Sequence, residues 1–245
     1  MLYRIDFHCH STASDGMLTI PELVELAYNR GLNALVVTDH CSPFGSYFQN
    51  KQVVDTLKKM GHHFKVPVIV GCEIATPYSE FLLFGHRAIV NWYAYKEKLK
   101  KIRTMFGIEF YWEAFWTYVL HSGNCSFGGG TDRDGEGYLS IQKGTELPYA
   151  MIMCHPTDKI NFLDKAPQRM FDCIHGFEIN NGGIDYEEEY PNEVVMLRSK
   201  IRHPRELKNS DCHGEELAIV SNEINLPDHK ELNEGNIISW LRNKK

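Results

Sequence analysis

Apolar runs that end directly in histidines and carboxylates constrain the fold of this 245-residue chain more than any other feature. The instances are His8-Cys9-His10 with Asp15 shortly after it, Thr38-Asp39-His40, Gly71-Cys72-Glu73, Cys154-His155-Pro156 and Ser210-Asp211-Cys212-His213. Groups so far apart in sequence meet only if the fold brings the ends of several strands together. Neutral imidazoles and ionised carboxylates are ligands of borderline divalent metals. The pattern predicts a site for more than one metal ion, and therefore a hydrolase.

The apolar runs alternate with helical patterns along the chain. Residues 3–10 have period two, so His8 and His10 are predicted on one face of a first strand. Thr19 and Glu22 form a capping box with Pro21 in the first helical turn, and a second helix is predicted over 50–60. Further strands are predicted at 34–38, 66–70, 81–84, 150–154, 176–180 and 218–221. This order is typical of parallel strands joined by helices, with functional groups at the carboxyl ends of the strands.

Residues 91–147 interrupt this alternation. They begin with a basic helical run at 96–103, continue with aromatic residues up to Tyr118, and reach Gly128-Gly129-Gly130 before an acidic, glycine-rich stretch. One interpretation is an inserted helical hairpin whose aromatic side chains form its own core. The other is a lid over the site, with the triple glycine as a hinge. We expect core packing for the aromatic residues, leave the lid open, and treat 1–245 as a single domain.

Net charge and hydropathy limit the classes of partner that we expect for this chain. The formal net charge of −6 argues against broad nucleic-acid binding, so no strong nucleic-acid partner is expected. No apolar run reaches membrane-spanning length, and the chain starts directly in a strand-like segment, so we expect a cytoplasmic protein without membrane contact.

Most of the cysteines lie directly beside a candidate ligand, namely Cys9, Cys41, Cys72, Cys154 and Cys212. Neighbouring residues on a strand face opposite sides. We therefore predict buried, reduced thiols that point away from the metals. A zinc-thiolate site is the rival interpretation, but the chain has no C-x-x-C pair to favour it.

Taken together, these motifs resemble the ordered motifs of the PHP superfamily (polymerase and histidinol phosphatase). The segments that carry the resemblance are Asp6-Phe7-His8-Cys9-His10, Ser14-Asp15-Gly16, Thr38-Asp39-His40, Gly71-Cys72-Glu73-Ile74, His155-Pro156 and Ser210-Asp211-Cys212-His213. The resemblance implies an α/β fold, a distorted TIM-like (β/α)7 barrel, here with a helical and aromatic insertion. It also implies a phosphoesterase with two to three divalent metal ions, commonly manganese, zinc or iron.

The resemblance further implies a set of metal ligands: His8, His10, Asp15, His40, Glu73, Glu80, His155, Asp211 and His213. His8, His10, Glu73 and Asp211 would hold a first ion. Glu73 would bridge to a second ion that also uses His155, and the third would be bound by Asp15, His40 and His213. A water between two ions, held by Glu73 with His8, His10 and His155, would become the hydroxide nucleophile.

One position departs from the family pattern. Many members have a histidine shortly after the glutamate, where this chain has Glu80. His86 follows closely and is the competing candidate. We prefer Glu80 because a carboxylate is a competent ligand for these metals.

Five further residues are candidates for supporting roles. Asp6 lies on the same predicted face as His8 and could orient its ring. Asp39 could orient a neighbouring histidine or cap a turn, and Glu178 either borders the pocket or is structural. Arg133 and Arg169 could bind a substrate phosphate, with an exposed surface charge as the alternative.

The leading hypothesis is a metal-dependent hydrolase of a small phosphorylated substrate, either a phosphomonoester or a nucleotide phosphate. The alternatives are an exonuclease-like phosphodiesterase on short single strands, and a non-catalytic metal-binding module. Amide hydrolysis on a similar barrel would favour a carbamylated lysine at a strand end, and no lysine occupies such a position.

Overall fold

Helices and strands alternate along the chain as predicted, but the sheets they build are of mixed direction. The computed structural model describes residues 1–41, 45–122, 127–131, 137–141, 145–156, 163, 165–227 and 230–243, with the backbone alone for Glu109 and between 122 and 141. Within the described residues, no helix combines the length and apolar character needed to cross a bilayer.

The strands are β1 Leu2–Asp6, β2 Ala34–Val37, β3 Val68–Val70, β4 Cys72–Ala75, β5 Glu80–Phe84, β6 His121–Ser122, β7 Phe127–Thr131, β8 Gly137–Ile141, β9 Thr145–Glu146, β10 Ala150–Cys154, β11 Gly176–Asn181, β12 Ile184–Asp185, β13 Arg205–Asn209 and β14 Asn222–Asn225. The helices are α1 Ile20–Asn29, α2 Ser46–Lys59, α3 His86–Phe106, α4 Glu109–Tyr118, α5 Gln168–Asp172, α6 Tyr186–Glu189, α7 Pro191–Lys200 and α8 Glu234–Arg242. The predicted capping box of Thr19 and Glu22 is present at the start of α1.

Two main sheets carry the candidate ligands. The first has the order β14-β1-β2-β3, in which β1, β2 and β3 are parallel and β14 is antiparallel to β1. The second has the order β12-β11-β10-β5-β4, with β13 also pairing with β11. Its strands β10, β11 and β13 are parallel, whereas β5 is antiparallel to both β4 and β10.

Isolated parallel bridges connect the two sheets near the candidate ligands. His40 pairs with Glu73 at one junction, and Cys9 pairs with Cys212 at the other. Both bridges lie beyond the carboxyl ends of β1 and β2, so the ligand segments of different sheets are drawn to the same place. No sheet closes on itself among the described residues. The architecture shown is therefore a mixed α/β fold, and the seven-stranded barrel stays a prediction.

One of the apolar clusters fills the space between the two sheets. It joins side chains from both sheets, among them Ile5 and Val36 from the first and Leu82 and Ile152 from the second. Helix α8 packs against the same core through residues that include Ile237. Helices α3, α4, α5 and α7 cover the outer face of the second sheet, and α1 covers that of the first.

The structure confirms the strand predicted at 81–84, gives its direction, and corrects the strand predicted at 218–221. The strand predicted at 81–84 exists as β5, but it is antiparallel because only residues 76–79 separate it from β4, and a parallel crossover needs a dozen or more residues. The strand predicted at 218–221 is wrong. Ala218 has a φ of 61°, in the left-handed region, and the strand is β14, which starts at Asn222.

The aromatic residues of the insertion pack against the sheet. Trp112 and Phe115 are fully buried, and the Trp112 ring meets that of Phe81 edge-on, with the ring centroids 5.6 Å apart. The β6–β9 ribbon leads into the amino end of β10, whereas His155 follows the carboxyl end of that strand. Gly128–Gly130 lie in β7, paired with β8, and the acidic segment 132–136 is outside the described residues. The lid stays a prediction, and its root is at the opposite end of β10 from His155.

Candidate metal centre

Eight of the nine predicted ligands meet at one end of the two sheets. Three overlapping groups have all their ligand atoms within 4.8 Å of one another. We call them the deep group (His8, His10 and Asp211), the Cys154 group (His8, Glu73, Cys154 and His155) and the outer group (His10, Asp15, His40 and His213). Glu80 is the predicted ligand that belongs to none of them, and Cys154 is a member that the sequence did not predict.

Left-handed backbone conformations aim two of the ligands. His155 has a φ of 27° and Asp211 a φ of 50°, both in the region that side chains other than glycine rarely adopt. At His155 this ends the strand alternation that would send adjacent side chains to opposite faces. Cys154 and His155 therefore both face Glu73, and the prediction that every ligand-adjacent thiol points away is wrong for Cys154. Such strained residues cluster at functional sites.

The ring nitrogens of the deep group lie close to carboxylate oxygens of both Asp211 and Glu73. Nε2 of His8 lies 3.1 Å from Nε2 of His10, and each of these nitrogens is 3.2 Å from Oδ1 of Asp211 and 3.3 Å from Oε2 of Glu73. His8, His10 and Glu73 are almost completely buried. Burial of so many polar atoms without a compensating ion is costly.

Glu178 holds the His8 ring in the orientation that a metal ligand needs. Its Oε1 is 2.9 Å from Nδ1 of His8 and also accepts from Nδ2 of Asn209, while its Oε2 accepts from the His155 N–H and from Nδ2 of Asn181. Burial opposes ionisation of Glu178, but the neighbouring His8 and His155 rings outweigh it and lower its pKa. An ionised carboxylate only accepts, so Nδ1 of His8 carries a proton, and Nε2, which faces the centre, is the nitrogen available to a metal ion.

Each carboxylate oxygen of Glu73 contacts a different set of ligand residues, so Glu73 connects the three groups. Oε2 faces His8, His10 and Nδ1 of His40, the last at 3.1 Å. Oε1 lies 3.1 Å from Nε2 of His155 and 3.3 Å from Sγ of Cys154. Glu73 is therefore placed to bridge two positions.

The structure separates Glu80 from His86. In the antiparallel ladder Glu80 is opposite Cys154, and its Oε2 lies 3.7 Å from Nδ1 of His155. His86 begins α3 beyond the other end of β5, where Tyr47 shares a 2.9 Å hydrogen bond with its Nδ1. His86 comes six residues after Glu80. Because β5 runs away from the centre, His86 lies outside the cluster. The antiparallel direction of β5 decides this point, and the sequence pattern did not predict it.

The outer group is the accessible part of the centre. Asp15 lies 3.3 Å from Nδ1 of His10 and from Nε2 of His213, and 3.4 Å from Nε2 of His40. The Asp15 side chain is 50% exposed and that of His213 is 40% exposed, whereas the His8 side chain is completely buried. The centre therefore opens to solvent on the side of the outer group.

Electrostatics show that the centre attracts positive charge strongly. Burial opposes protonation of His8 and His10, but the surrounding carboxylates outweigh it, raising the pKa of His8 well above its ordinary value and that of His10 to about 9. Burial likewise opposes ionisation of Glu73 and Asp211, but the imidazoles outweigh it and hold both pKa values low. In this state protons supply the positive charge that a bound cation would supply instead.

One unsatisfied atom tests whether the residues fit a metal. Oδ1 of Asp211 is buried and close to two imidazole nitrogens, yet it accepts no hydrogen bond from any described residue. Buried carboxylate oxygens are normally paired. An oxygen that lies 3.2 Å from two ring nitrogens, with no well-aligned hydrogen bond to either, is the arrangement expected when all three face a common cation. The donor set of nitrogen and carboxylate oxygen suits the borderline divalent metals.

Asp6 and Asp39 support the backbone, and neither orients a histidine ring as predicted. Asp6 accepts from the N–H groups of His8, Ser210 and Ala218 and from the Ser210 hydroxyl, which fixes the β1 end against the segment that carries Asp211. Burial raises the pKa of Asp6 to about 6. Asp39 accepts from both donors of Ser11 and from side chains that include Asn50, and so holds the loop before Asp15. Of its two predicted roles, the structure favours the turn.

Of the two arginines named as phosphate candidates, Arg169 can be located, and it lies away from the centre. Arg133 lies outside the described residues. Arg169 is on α5, with its guanidinium 3.6 Å from the Trp116 ring centroid in the outer helical layer. A stacked guanidinium of this kind is a packing contact.

Comparison with known proteins places the chain in a family. The PHP domain family model matches residues 6–201, which include all of the predicted ligands except Asp211 and His213. The chain belongs to the PHP domain family. The match extends over most of the chain and agrees with the resemblance found in the sequence motifs.

Individual relatives of this PHP protein are distant or partial. A 5′-3′ exoribonuclease of Haemophilus influenzae is 38% identical over 76 residues, which are 31% of this chain and 25% of that protein. A two-domain Bacteroides vulgatus protein containing a predicted PHP-like metal-dependent phosphoesterase is 19% identical, with a TM-score of 0.47, over 88% of this chain and 53% of that one. A proposed metal-dependent phosphoesterase of Bifidobacterium adolescentis is 16% identical, with a TM-score of 0.45, over 96% and 94%. The chain thus spans about a quarter of the exoribonuclease and half of the Bacteroides protein.

Proposed function

We propose that this PHP-domain protein hydrolyses phosphate esters with two to three divalent ions, Mn²⁺, Zn²⁺ or Fe²⁺, held by the three ligand groups. The observation that supports this most directly is the convergence of eight histidines and carboxylates from distant segments, with the Asp211 oxygen unsatisfied among them. Ions bound there would activate a water as nucleophile and neutralise charge at phosphorus.

The charge balance favours an anionic substrate. The three groups contain the carboxylates of Asp15, Glu73 and Asp211. Three divalent ions would bring about six positive charges, so the loaded centre would be net positive in a protein of net charge −6. A phosphomonoester or a nucleotide phosphate is therefore the substrate class that we propose.

The proposed role of each residue depends on how deeply its side chain is buried. Glu178 fixes the His8 ring, and Glu73 ties the deep, Cys154 and outer groups together through its two oxygens. The exposed side chains of Asp15 and His213 form the entrance, so a substrate phosphate would approach the outer group first. The buried positions would stay shielded from bulk water, which strengthens the electrostatic stabilisation of a developing negative charge.

Turnover of a generic aryl phosphate with added Mn²⁺, together with the metal content of the purified protein, tests the proposal. His155→Ala and Asp211→Ala should abolish turnover while the protein stays folded, as judged by circular dichroism. His62→Ala, at an exposed histidine outside the three groups, is the matched control and should keep full activity. Full activity in His155→Ala and Asp211→Ala, or a wild-type protein that binds no divalent ion, would reject the proposal.

A second candidate is phosphodiester cleavage on short single strands. The segment that is 38% identical to a 5′-3′ exoribonuclease favours it, although that segment is 31% of this chain. A substrate panel of sugar phosphates, nucleotides and short oligonucleotides, assayed under one metal condition, distinguishes the two. Release of mononucleotides from oligonucleotides at a rate well above hydrolysis of every monoester would favour the second candidate.

A further inference from the structure

The thiol of Cys154 lies inside the metal centre. Its side chain is completely buried, and its Sγ–H donates to Oε1 of Glu73 at 3.3 Å. Its sulfur is within 4.8 Å of the ligand atoms of His8, Glu73 and His155. Oε1 of Glu73 is the oxygen that also faces Nε2 of His155.

The backbone explains why this cysteine differs from the other cysteines beside ligands. Cys154 shares the core between the sheets with Ile152, whereas Cys9 and Cys212 pack under α1 and Cys41 and Cys72 pack in the outer layer. The left-handed φ of His155 then turns the next side chain back to the same site. Sulfur and imidazole are therefore presented side by side, without a C-x-x-C motif.

Glu80 does not compete with Cys154 for this place. The Glu80 carboxylate approaches Nδ1 of His155, and Nε2 of the same ring faces Glu73 and Asp211. A carboxylate on the far nitrogen orients a metal-bound imidazole, as second partners of such histidines commonly do. Glu80, which replaces the family histidine, thus lies at Nδ1 of His155, and the sulfur of Cys154 lies with Nε2 of His155 beside Glu73.

We propose that Cys154 is a metal ligand, as a thiolate, of the ion held by Glu73 and His155, and that it gives this one position a preference for Zn²⁺ or Fe²⁺ over Mn²⁺. The inference rests on the proposed metal centre and adds the metal preference of one of its positions. Soft sulfur ligands select zinc and iron, while the deep and outer groups offer nitrogen and oxygen alone. Binding replaces the thiol proton, which is released to solvent: M²⁺ and R–SH give M–SR⁺ and H⁺.

Cobalt provides the spectroscopic test, because Co²⁺ replaces Zn²⁺ and a thiolate ligand adds a sulfur-to-metal charge-transfer band in the near ultraviolet. The full chain, stripped with a chelator and reloaded with Co²⁺, should show this band, and Cys154→Ser should lose it. Cys173→Ser is the matched control, because Cys173 is also buried but donates to the Arg169 carbonyl outside the three groups. In titrations with each metal, the Zn²⁺ affinity should fall by at least about tenfold in Cys154→Ser, since loss of even an outer partner of a ligand has such an effect, and the Mn²⁺ affinity should fall less.

X-ray absorption of the Zn²⁺-loaded wild-type protein avoids any dependence on a variant that fails to fold. A sulfur neighbour at about 2.3 Å from zinc is expected. Full Co²⁺ or Zn²⁺ loading with nitrogen and oxygen neighbours alone, or a band that survives in Cys154→Ser, would overturn the inference and leave the phosphoesterase proposal standing. Failure to bind any divalent ion would instead overturn the phosphoesterase proposal.

Discussion

Replacing Glu178 by glutamine tests how the centre is pre-organised, because it removes a charge without changing shape. All four partners of the carboxylate donate to it: the His8 ring and Asn209 on one oxygen, the His155 N–H and Asn181 on the other. An amide nitrogen in place of either oxygen must face two donors. On one side it would favour the His8 tautomer whose Nε2–H points into the deep group. In place of the other oxygen, the amide nitrogen would face the backbone N–H of His155, which cannot become an acceptor.

The magnitude follows from these contacts. One or two buried donors left without acceptors cost about 1–3 kcal/mol each, so the free energy of unfolding of the metal-free protein should fall by about 1–6 kcal/mol. Loss of an outer partner of a ligating histidine lowers metal affinity by about 10–100-fold. This corresponds to about 1.4–2.7 kcal/mol of binding free energy.

Two measurements on Glu178→Gln check these values. Urea denaturation of the metal-free protein gives the free energy of unfolding, and titration against a chelator gives the Zn²⁺ affinity. Glu223→Gln is the matched control, because Glu223 is exposed on the edge strand β14, and it should change neither quantity. If Glu178→Gln bound Zn²⁺ with wild-type affinity and unfolded at the wild-type urea concentration, the argument that Glu178 fixes His8 would be refuted.

Three further outcomes are expected. Chelation should lower the melting temperature, because an ion that binds only the native state stabilises it by mass action, and re-addition of Mn²⁺ or Zn²⁺ should restore it; an unchanged melting curve would contradict metal binding. Gly16→Ala should destabilise the protein far more than Gly235→Ala, because a Cβ at Gly16 would lie 2.4 Å from the His10 carbonyl oxygen, whereas a Cβ at Gly235 would come no nearer than 3.6 Å to Oδ1 of Asn233; equal denaturation midpoints would be the contrary result. Trp112→Ala should cost about 3–5 kcal/mol of stability but leave the metal content unchanged, as expected of a core residue rather than part of a lid.

The sequence predicted the ligand types and the first crossovers because both are local properties. Period-two and 3.6-residue patterns identify individual elements, and the capping box of Thr19 and Glu22 was found where predicted. Imidazoles and carboxylates at the ends of apolar runs indicated a metal centre, since parallel strands bring their carboxyl ends together. The family motifs then supplied the ligand set, and all but Glu80 fall within the three groups.

Interactions between distant segments could not be predicted in this way. Glu178 contacts His8 across 170 positions of sequence, and Asp6 contacts Ser210 across 204. Each of these carboxylates stands near several polar residues in the sequence, and only the folded backbone selects its partners. Sequence spacing therefore assigned the orientation of His8 to Asp6, when the fold assigns it to Glu178.

The sequence by itself determined the prediction of a metal centre of histidines and acids at the strand ends of an α/β fold. Tertiary structure decided which of the adjacent residues enter it. The antiparallel course of β5 places Glu80 near His155 and removes His86, and one left-handed residue brings Cys154 to the same side as His155. Strand direction and backbone handedness depend on packing against the rest of the chain, so a local pattern of residue types does not contain them.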